Sequence, residues 1–119
     1  MKFTFTRMSL LVAASAFTFA SSVAQAQAVD VEAAKALARQ NNCFKCHSVD
    51  KDKDGPAYKK VAEKFKGKPD AEARLIQHVT TGEKAKFPDG HEEEHKIVKT
   101  SPAKDMAQIK NLVDWILSQ

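Results

Sequence analysis

Apolar residues near the end of the chain recur with the period of an α-helix. They match the i, i+3, i+4, i+7, i+8 pattern of one helix face at Ile109, Leu112, Val113, Ile116 and Leu117. Ser101 and Pro102 form a helix-start signal, because serine caps helices and proline is tolerated at the first helical position. The pattern therefore predicts a helix that begins at Pro102 and continues through the apolar positions.

The same criteria predict three shorter helices upstream, over residues 30–40, 57–66 and 70–80. Asp30 and Asp70 stand at the positions of N-caps. Asn41, Gly67 and Gly82 follow the three apolar patterns and end them. No segment of useful length alternates apolar and polar residues as a strand does, and there is no internal repeat. The sequence therefore predicts an all-α fold of four to five short helices.

The first 26 residues have the pattern of a secretory signal peptide. Lys2 and Arg7 precede an uncharged, apolar run over residues 8–20, and Ala-x-Ala patterns end at Ala26 and Ala28. The apolar run is too short to span a bilayer. We expect cleavage after residue 26 or 28, export to the periplasm, no transmembrane segment, and a single mature domain over residues 27–119.

Charge and size then limit what the mature domain does. The chain carries 19 Lys and Arg residues against 15 Asp and Glu, and loss of Lys2 and Arg7 leaves 17 against 15. So small a surplus does not indicate a nucleic-acid partner. Four short helices enclose a marginal core, and two cysteines three residues apart cannot link distant elements. A further group is therefore expected at the centre of the fold.

Cys43-Phe44-Lys45-Cys46-His47 is C-x-x-C-H, the attachment sequence of c-type haem. Two thiols at this spacing can each form a thioether with one porphyrin, and the next imidazole is placed to bind the iron. A redox C-x-x-C favours a βαβ setting and a structural zinc site needs a second ligand pair, neither of which is present; a local disulfide is the remaining alternative. We predict one covalently bound haem c, held by Cys43, Cys46 and His47.

The chain resembles the small bacterial class I cytochromes c over residues 43–47, 55–65 and 114–119, with Gly-Pro-Ala-Tyr as the most discriminating segment. The resemblance implies a fold in which the N- and C-terminal helices cross and short helices surround one haem. It also implies that the Pro56 carbonyl accepts a hydrogen bond from the His47 ring, which fixes the tautomer of the ligand and raises its basicity. Trp115 would help to pack the terminal helices.

The sequence departs from that family at the expected position of the sixth iron ligand. Members usually have a methionine before the last helix, where this chain has residues 99–102 without one. Met106 lies on the apolar face of the predicted helix, which favours core packing over ligation. His95, followed by the apolar pair Ile97-Val98, is our predicted sixth ligand, and His91 is the second candidate. Ligation by Met106 and an open site remain alternatives.

Two imidazole ligands favour ferric iron and lower the reduction potential. The predicted function is therefore electron transfer at comparatively low potential by a bis-histidine monohaem cytochrome in the periplasm. We do not predict that the protein is an enzyme. One alternative is a haem-based ligand binder or sensor in which the distal His95 dissociates. Another is a small cytochrome subunit of a dehydrogenase complex. Binding of carbon monoxide to the reduced protein separates the sensor from the carrier.

Three further signals have a functional and a structural interpretation. His91-Glu92-Glu93-Glu94-His95 matches the zinc-protease pattern H-E-x-x-H, although the segment follows a turn and lacks flanking apolar residues. His78 is either a partner of a haem propionate or a partly exposed helix residue. A group of lysines is either a docking face for acidic redox proteins or a solvated surface: Lys45, Lys59, Lys60, Lys64, Lys66 and Lys68.

Overall fold

The structure is a computed structural model that describes residues 27–119, and the predicted signal peptide lies outside the described residues. In chain order the elements are α1 (Val31–Gln40), a 3-10 turn (Cys43–Lys45), α2 (Tyr58–Phe65), α3 (Ala71–Thr81), β1 (Lys84–Lys86), β2 (Glu92–Glu94) and α4 (Met106–Leu117). Helices dominate, as the sequence predicts. Among the described residues, none of the helices is both long and apolar enough to cross a membrane.

The terminal helices α1 and α4 pack against each other. Ala34 and Ala38 of α1 are fully buried, and such small side chains let two helix backbones approach closely. The Asp30 side chain caps α1 by accepting a hydrogen bond from the Ala33 N–H at 2.9 Å. The side-chain amide of Asn111 in α4 exchanges two hydrogen bonds, both 2.8 Å, with the Asp30 backbone. The start of α1 is thereby fixed to the middle of α4.

Helix α4 is the centre of the core, because α1, α2 and α3 all pack against it. Its apolar face is buried at Ile109, Leu112, Val113 and Ile116, as the periodicity predicts, whereas Leu117 of the same pattern is only partly buried and Trp115 is buried in addition. Each aliphatic side chain of this kind contributes about 1.5–3 kcal/mol when it is fully removed from water. The helical periodicity therefore identifies the residues that hold the fold together.

The predicted start of the last helix is wrong. Helix α4 begins at Met106 and not at Pro102, and its N-cap is Asp105 and not Ser101. The Asp105 carboxylate accepts hydrogen bonds from the N–H groups of Ala107 and Gln108, at 3.0 and 3.1 Å. Lys104 has a left-handed backbone (φ 57°), so the chain turns immediately before the cap. Ser101 and Asp105 are both suitable N-caps, and the helix begins after Asp105, the one closer to the apolar positions of α4.

The prediction that Met106 packs in the core is also wrong, because α4 begins later than the sequence predicts. The side chain stands in the first turn of α4 and is 51% exposed. The core face of the helix begins three residues later, at Ile109.

A short antiparallel hairpin, β1 and β2, replaces the strand-free loop that the sequence predicts after α3. Its register pairs Lys84 with Glu94, Ala85 with Glu93, and Lys86 with Glu92. Opposite charges directly across an antiparallel pair stabilise it. Hydrophobic periodicity does not detect this hairpin, because β1 contains lysines on both sides of Ala85 and β2 consists of three glutamates, so neither strand presents an apolar face.

Candidate cofactor site

A cavity of about 630 Å³ is bounded by residues of α2, α3, α4, the 3-10 turn and the hairpin. Its volume lies within the range of about 300–1,000 Å³ typical of small-molecule and cofactor sites. The apolar part of the wall includes Val61, Leu75, Val79, Leu112 and Ile116, and the groups able to bind a metal or a porphyrin include Cys43, Cys46, His47 and His95. The sequence-predicted site residues are therefore brought to one cavity.

The two cysteines are presented by a tight turn after α1. Asn42 adopts the left-handed conformation (φ 57°), which asparagine tolerates better than most residues, and the chain reverses there. The backbone N–H groups of Cys46 and His47 then both donate to the Cys43 carbonyl, at 3.2 and 2.9 Å. The two thiols form no disulfide. This turn places both sulfur-bearing residues and the adjacent imidazole on the cavity wall.

The His47 ring is held in one orientation and in one tautomer. Its Nδ1 lies 2.8 Å from the Pro56 carbonyl oxygen. Because a carbonyl only accepts, Nδ1 carries the hydrogen and Nε2 keeps its lone pair for a metal. Burial lowers the pKa of His47, which favours the neutral ring. Gly55 passes directly over the imidazole, and a Cβ at that position would overlap the ring atoms.

Aromatic side chains pack against His47 and the turn that carries it, which we call the proximal turn. The ring of Tyr58 is stacked on that of His47, with the centres 5.2 Å apart and the planes inclined by 20°. Trp115 of α4 meets Tyr58 edge to face at 5.5 Å, and Phe44 meets Tyr58 at 6.2 Å. Burial raises the pKa of Tyr58, and burial also raises the pKa of the Cys43 thiol. Both groups are therefore uncharged at neutral pH, as an apolar cavity requires.

His95 lies just after β2 and its ring faces the same cavity. Its backbone N–H donates to the Glu83 carbonyl at 3.0 Å, and its Nδ1 lies 2.9 Å from the Lys96 carbonyl oxygen. By the same reasoning as for His47, Nδ1 carries the hydrogen and Nε2 is available as a ligand. Burial, followed by the neighbouring His78, lowers the pKa of His95.

The separation of the two imidazoles fits a shared metal ion. The ring centres of His47 and His95 are 6.2 Å apart. A metal–nitrogen bond of about 2 Å on each side, added to the distance from each nitrogen to its ring centre, separates two opposed imidazoles by roughly 6 Å. The cysteines and His47 therefore fit a porphyrin tethered at this wall, and the His95 ring, inclined by 51° to that of His47, lies at the distance that a second iron ligand requires.

His78 of α3 also lines the cavity, next to the distal histidine. Its ring centre is 4.2 Å from that of His95, and its Nδ1 lies 2.6 Å from a carboxylate oxygen of Glu83. The side chain is partly exposed, so both interpretations of His78 in the sequence analysis retain support. Its contact with Glu83 and His95 is a feature that the sequence analysis missed.

The other candidate ligands are not on the cavity wall. Met106 is not on its wall, and His91 stands exposed near the hairpin tip, stacked on Phe87 with ring centres 4.3 Å apart. Nor does the zinc-protease pattern form a metal site. Its inner residues are an extended strand, which separates positions four apart by about 13 Å. In residues 27–119 no three His, Cys, Asp or Glu side chains are grouped to hold a metal ion.

The six lysines of the predicted docking face differ in where they lie relative to the cavity. Lys60 and Lys64 line the cavity, whereas the other four predicted lysines do not. Lys59 and Lys60 form ion pairs with Asp50 and Asp52. The sequence analysis missed four cations on the cavity wall because α3, the hairpin and the following segment bring them there from a distance along the chain: Arg74, Lys84, Lys86 and Lys96.

The chain is similar to known cytochromes c in sequence and in fold. The profile of the cytochrome c family matches residues 31–119. The chain is 34% identical over 94 residues to cytochrome c-551 of Pseudomonas aeruginosa, covering 79% of this chain and 84% of that protein. The crystal structure of class 1 cytochrome MtoD from Sideroxydans lithotrophicus ES-1 is 75% identical, with a TM-score of 0.71, covering 76% of this chain and 97% of that one. Wild-type cytochrome c552 of Nitrosomonas europaea is 32% identical, with a TM-score of 0.55, covering 71% and 96%.

Proposed function

The chain belongs to the cytochrome c family, and from this premise we propose that it is a periplasmic electron carrier whose haem iron is bound by His47 and His95. Membership of this family gives the chain one covalently attached haem c and the role of a monohaem electron carrier. The observation that carries the ligand assignment is the pair of imidazoles in one cavity, 6.2 Å apart, each with Nδ1 against a backbone carbonyl.

Five residues of this chain would bind or orient the haem. Cys43 and Cys46 would form the thioethers, His47 and His95 would supply the axial nitrogens, and Pro56 would orient the proximal ring. The bound haem supplies the one-electron couple. Apolar residues of α2, α3 and α4 would exclude water from it. Two fixed imidazoles lower the reduction potential relative to a histidine–methionine pair.

Export to the periplasm is proposed on the signal-peptide pattern of residues 1–26. The family match favours neither the sensor nor the dehydrogenase-subunit alternative over the carrier. No catalysed reaction is assigned, because the family transfers electrons between other proteins.

The proposed partners are acidic redox proteins that dock at the mouth of the cavity. Its wall carries Lys60, Lys64, Arg74, Lys84, Lys86 and Lys96, interspersed with acidic residues such as Glu93 and Glu94. Electrostatic steering of this kind weakens as salt is added. Lys64→Glu should therefore slow electron exchange with an acidic partner protein at low salt, whereas Lys35→Glu on α1 should not. Equal rates in both variants would contradict docking at this mouth.

The ligand assignment is tested by the spectrum of the ferric holoprotein. His95→Ala removes the proposed distal nitrogen and should convert low-spin iron to high-spin iron. His91→Ala is the matched control, because the same chemical change then falls near the exposed hairpin tip. An unchanged low-spin spectrum in His95→Ala would remove His95 from the site.

A further inference from the structure

We infer that Asn41 is a positioning residue for the distal ligand, because its side-chain amide fastens the segment that follows His95 to the end of α1. The inference rests on the proposed ligation by His95. It gives a role to a residue that stands outside the C-x-x-C-H motif and does not bind the iron.

The Asn41 amide forms a two-point bond with one residue of the distal segment. Its Oδ1 accepts the Lys99 N–H at 2.7 Å, and its Nδ2 donates to the Lys99 carbonyl at 3.0 Å. The Nδ2 group also donates to the Leu37 carbonyl at 3.0 Å, within α1. Both backbone polar groups of Lys99 are therefore satisfied by one side chain that is 58 positions away in the sequence. We call this contact the Asn41 clamp.

The clamp matters because few other interactions fix this part of the chain. Residues 95–100 belong to no helix or strand. The Val98 N–H donates to the Val79 carbonyl at 2.8 Å, and the His95 N–H donates to the Glu83 carbonyl at 3.0 Å. Segments with few bonds and few buried contacts open locally before the whole fold unfolds. Loss of the clamp should therefore free the distal segment while the helical core stays folded.

The chain provides a matched control for this contact. Asn111 forms the same kind of two-point bond, with the Asp30 backbone, at 2.8 Å for each hydrogen bond. That bond joins α1 to α4, and neither residue lines the cavity. Asn111→Ala therefore removes a comparable pair of hydrogen bonds without touching the distal segment, so it separates a loss of global stability from a loss of distal positioning.

The experiment is carbon monoxide binding to the reduced holoprotein, followed by rapid mixing. Carbon monoxide needs the sixth position, so its binding rate reports how often the distal ligand leaves. Asn41→Ala should accelerate binding on the order of tenfold, since two hydrogen bonds no longer oppose the opening. Asn41→Asp preserves the side-chain shape but turns the amide donor into an oxygen that faces two carbonyls. It should accelerate binding as well, and it carries the test if Asn41→Ala does not accumulate as holoprotein.

Asn111→Ala should leave the carbon monoxide rate unchanged even where it lowers the melting temperature. If the wild type has two imidazole ligands and the Asn41 variants bind carbon monoxide no faster than it does, the positioning role is wrong and the ligand proposal stands. If Asn111→Ala accelerates carbon monoxide binding as much as the Asn41 variants do, the acceleration follows from a loss of global stability, and the inference is overturned. A wild type without two imidazole ligands would overturn both proposals.

Discussion

On the proximal side of the cavity, residues 43–58 surround His47 with a tight turn, a glycine and stacked aromatic rings, whereas on the distal side residues 83–100 hold His95 mainly through backbone hydrogen bonds. The proximal ring contacts Pro56, Gly55 and Tyr58, all within eleven positions of it in the sequence. The distal segment depends on Val79, Glu83 and Asn41, and Asn41 is 58 positions from the residue it binds.

The two proposed iron ligands, His47 and His95, are therefore positioned in different ways. The position of His47 follows from a local motif, C-x-x-C-H, and its ring is packed closely against Gly55 and Tyr58. The distal ligand is determined by how a charged, exposed hairpin is fastened to the helices. We therefore expect changes on the proximal side to cost folding stability, and changes on the distal side to alter ligation at a smaller cost in stability.

The largest expected effect follows removal of the aromatic support behind the proximal turn. Trp115 is 2% exposed and packs edge to face on Tyr58. Trp115→Ala should lower the free energy of unfolding of the holoprotein by about 3–5 kcal/mol, because a large buried side chain leaves a cavity. Chemical denaturation measures this loss. A loss below about 1 kcal/mol would show that the proximal side is not supported in this way.

A smaller proximal effect is expected from one added methyl group. Gly55→Ala places a Cβ against the His47 ring and should cost about 1–3 kcal/mol, with a changed signal of the proximal imidazole in nuclear magnetic resonance. Gly67→Ala is the control, since a Cβ there meets no atom within 4 Å although its φ is +73°. The control should leave the His47 signal unchanged. Identical His47 signals in the two variants would contradict the close packing of Gly55.

On the distal side, Val98→Ala removes two methyl groups from a side chain that is 9% exposed. The expected cost is about 1–2 kcal/mol, together with a lower temperature at which the ferric iron loses its low-spin spectrum. Val31→Ala makes the same chemical change at a position that is 41% exposed and should have little effect. If Val98→Ala destabilises the protein but leaves the spectral transition in place, Val98 supports the core and not the distal ligand.

The smallest expected effect is at the hairpin tip. A hydrogen bond from the His91 ring to Asp89 raises the pKa of His91 and lowers the pKa of Asp89. Because the folded-state pKa of His91 is raised, the stabilisation is complete below its unfolded value of about 6.5 and is lost as pH rises through the folded value. Asp89→Asn should return the His91 pKa towards its ordinary value in a magnetic resonance titration, and Glu92→Gln should change it less. No change in Asp89→Asn would contradict the contact.

The same contrast explains how far the sequence could predict the structure. The C-x-x-C-H spacing identifies the proximal turn, and the periodicity of Ile109 to Ile116 identifies the buried face of α4, because both signals are local. The start of α4 was misplaced because Ser101 and Asp105 are both good caps, and the left-handed turn at Lys104 separates them. Propensity alone does not rank two adequate caps.

The distal features were harder to predict because they come from long-range contacts. The hairpin pairs lysines with glutamates and has no apolar alternation, so its strands give no hydrophobic signal. The contact of His78 with His95 joins α3 to the segment after β2, and the Asn41 clamp joins α1 to the same segment. The sequence indicates His95 as a candidate through the absence of a suitably placed methionine, whereas its position beside His47 depends on all of these contacts.

Electron paramagnetic resonance of the oxidised wild-type holoprotein, read together with its near-infrared absorption, tests the central claim most directly. We predict a homogeneous low-spin ferric signal typical of two imidazole ligands, with no methionine–iron charge-transfer band. A methionine charge-transfer band, or a high-spin signal from an iron that lacks a sixth ligand, would contradict the proposal that His47 and His95 bind the iron together.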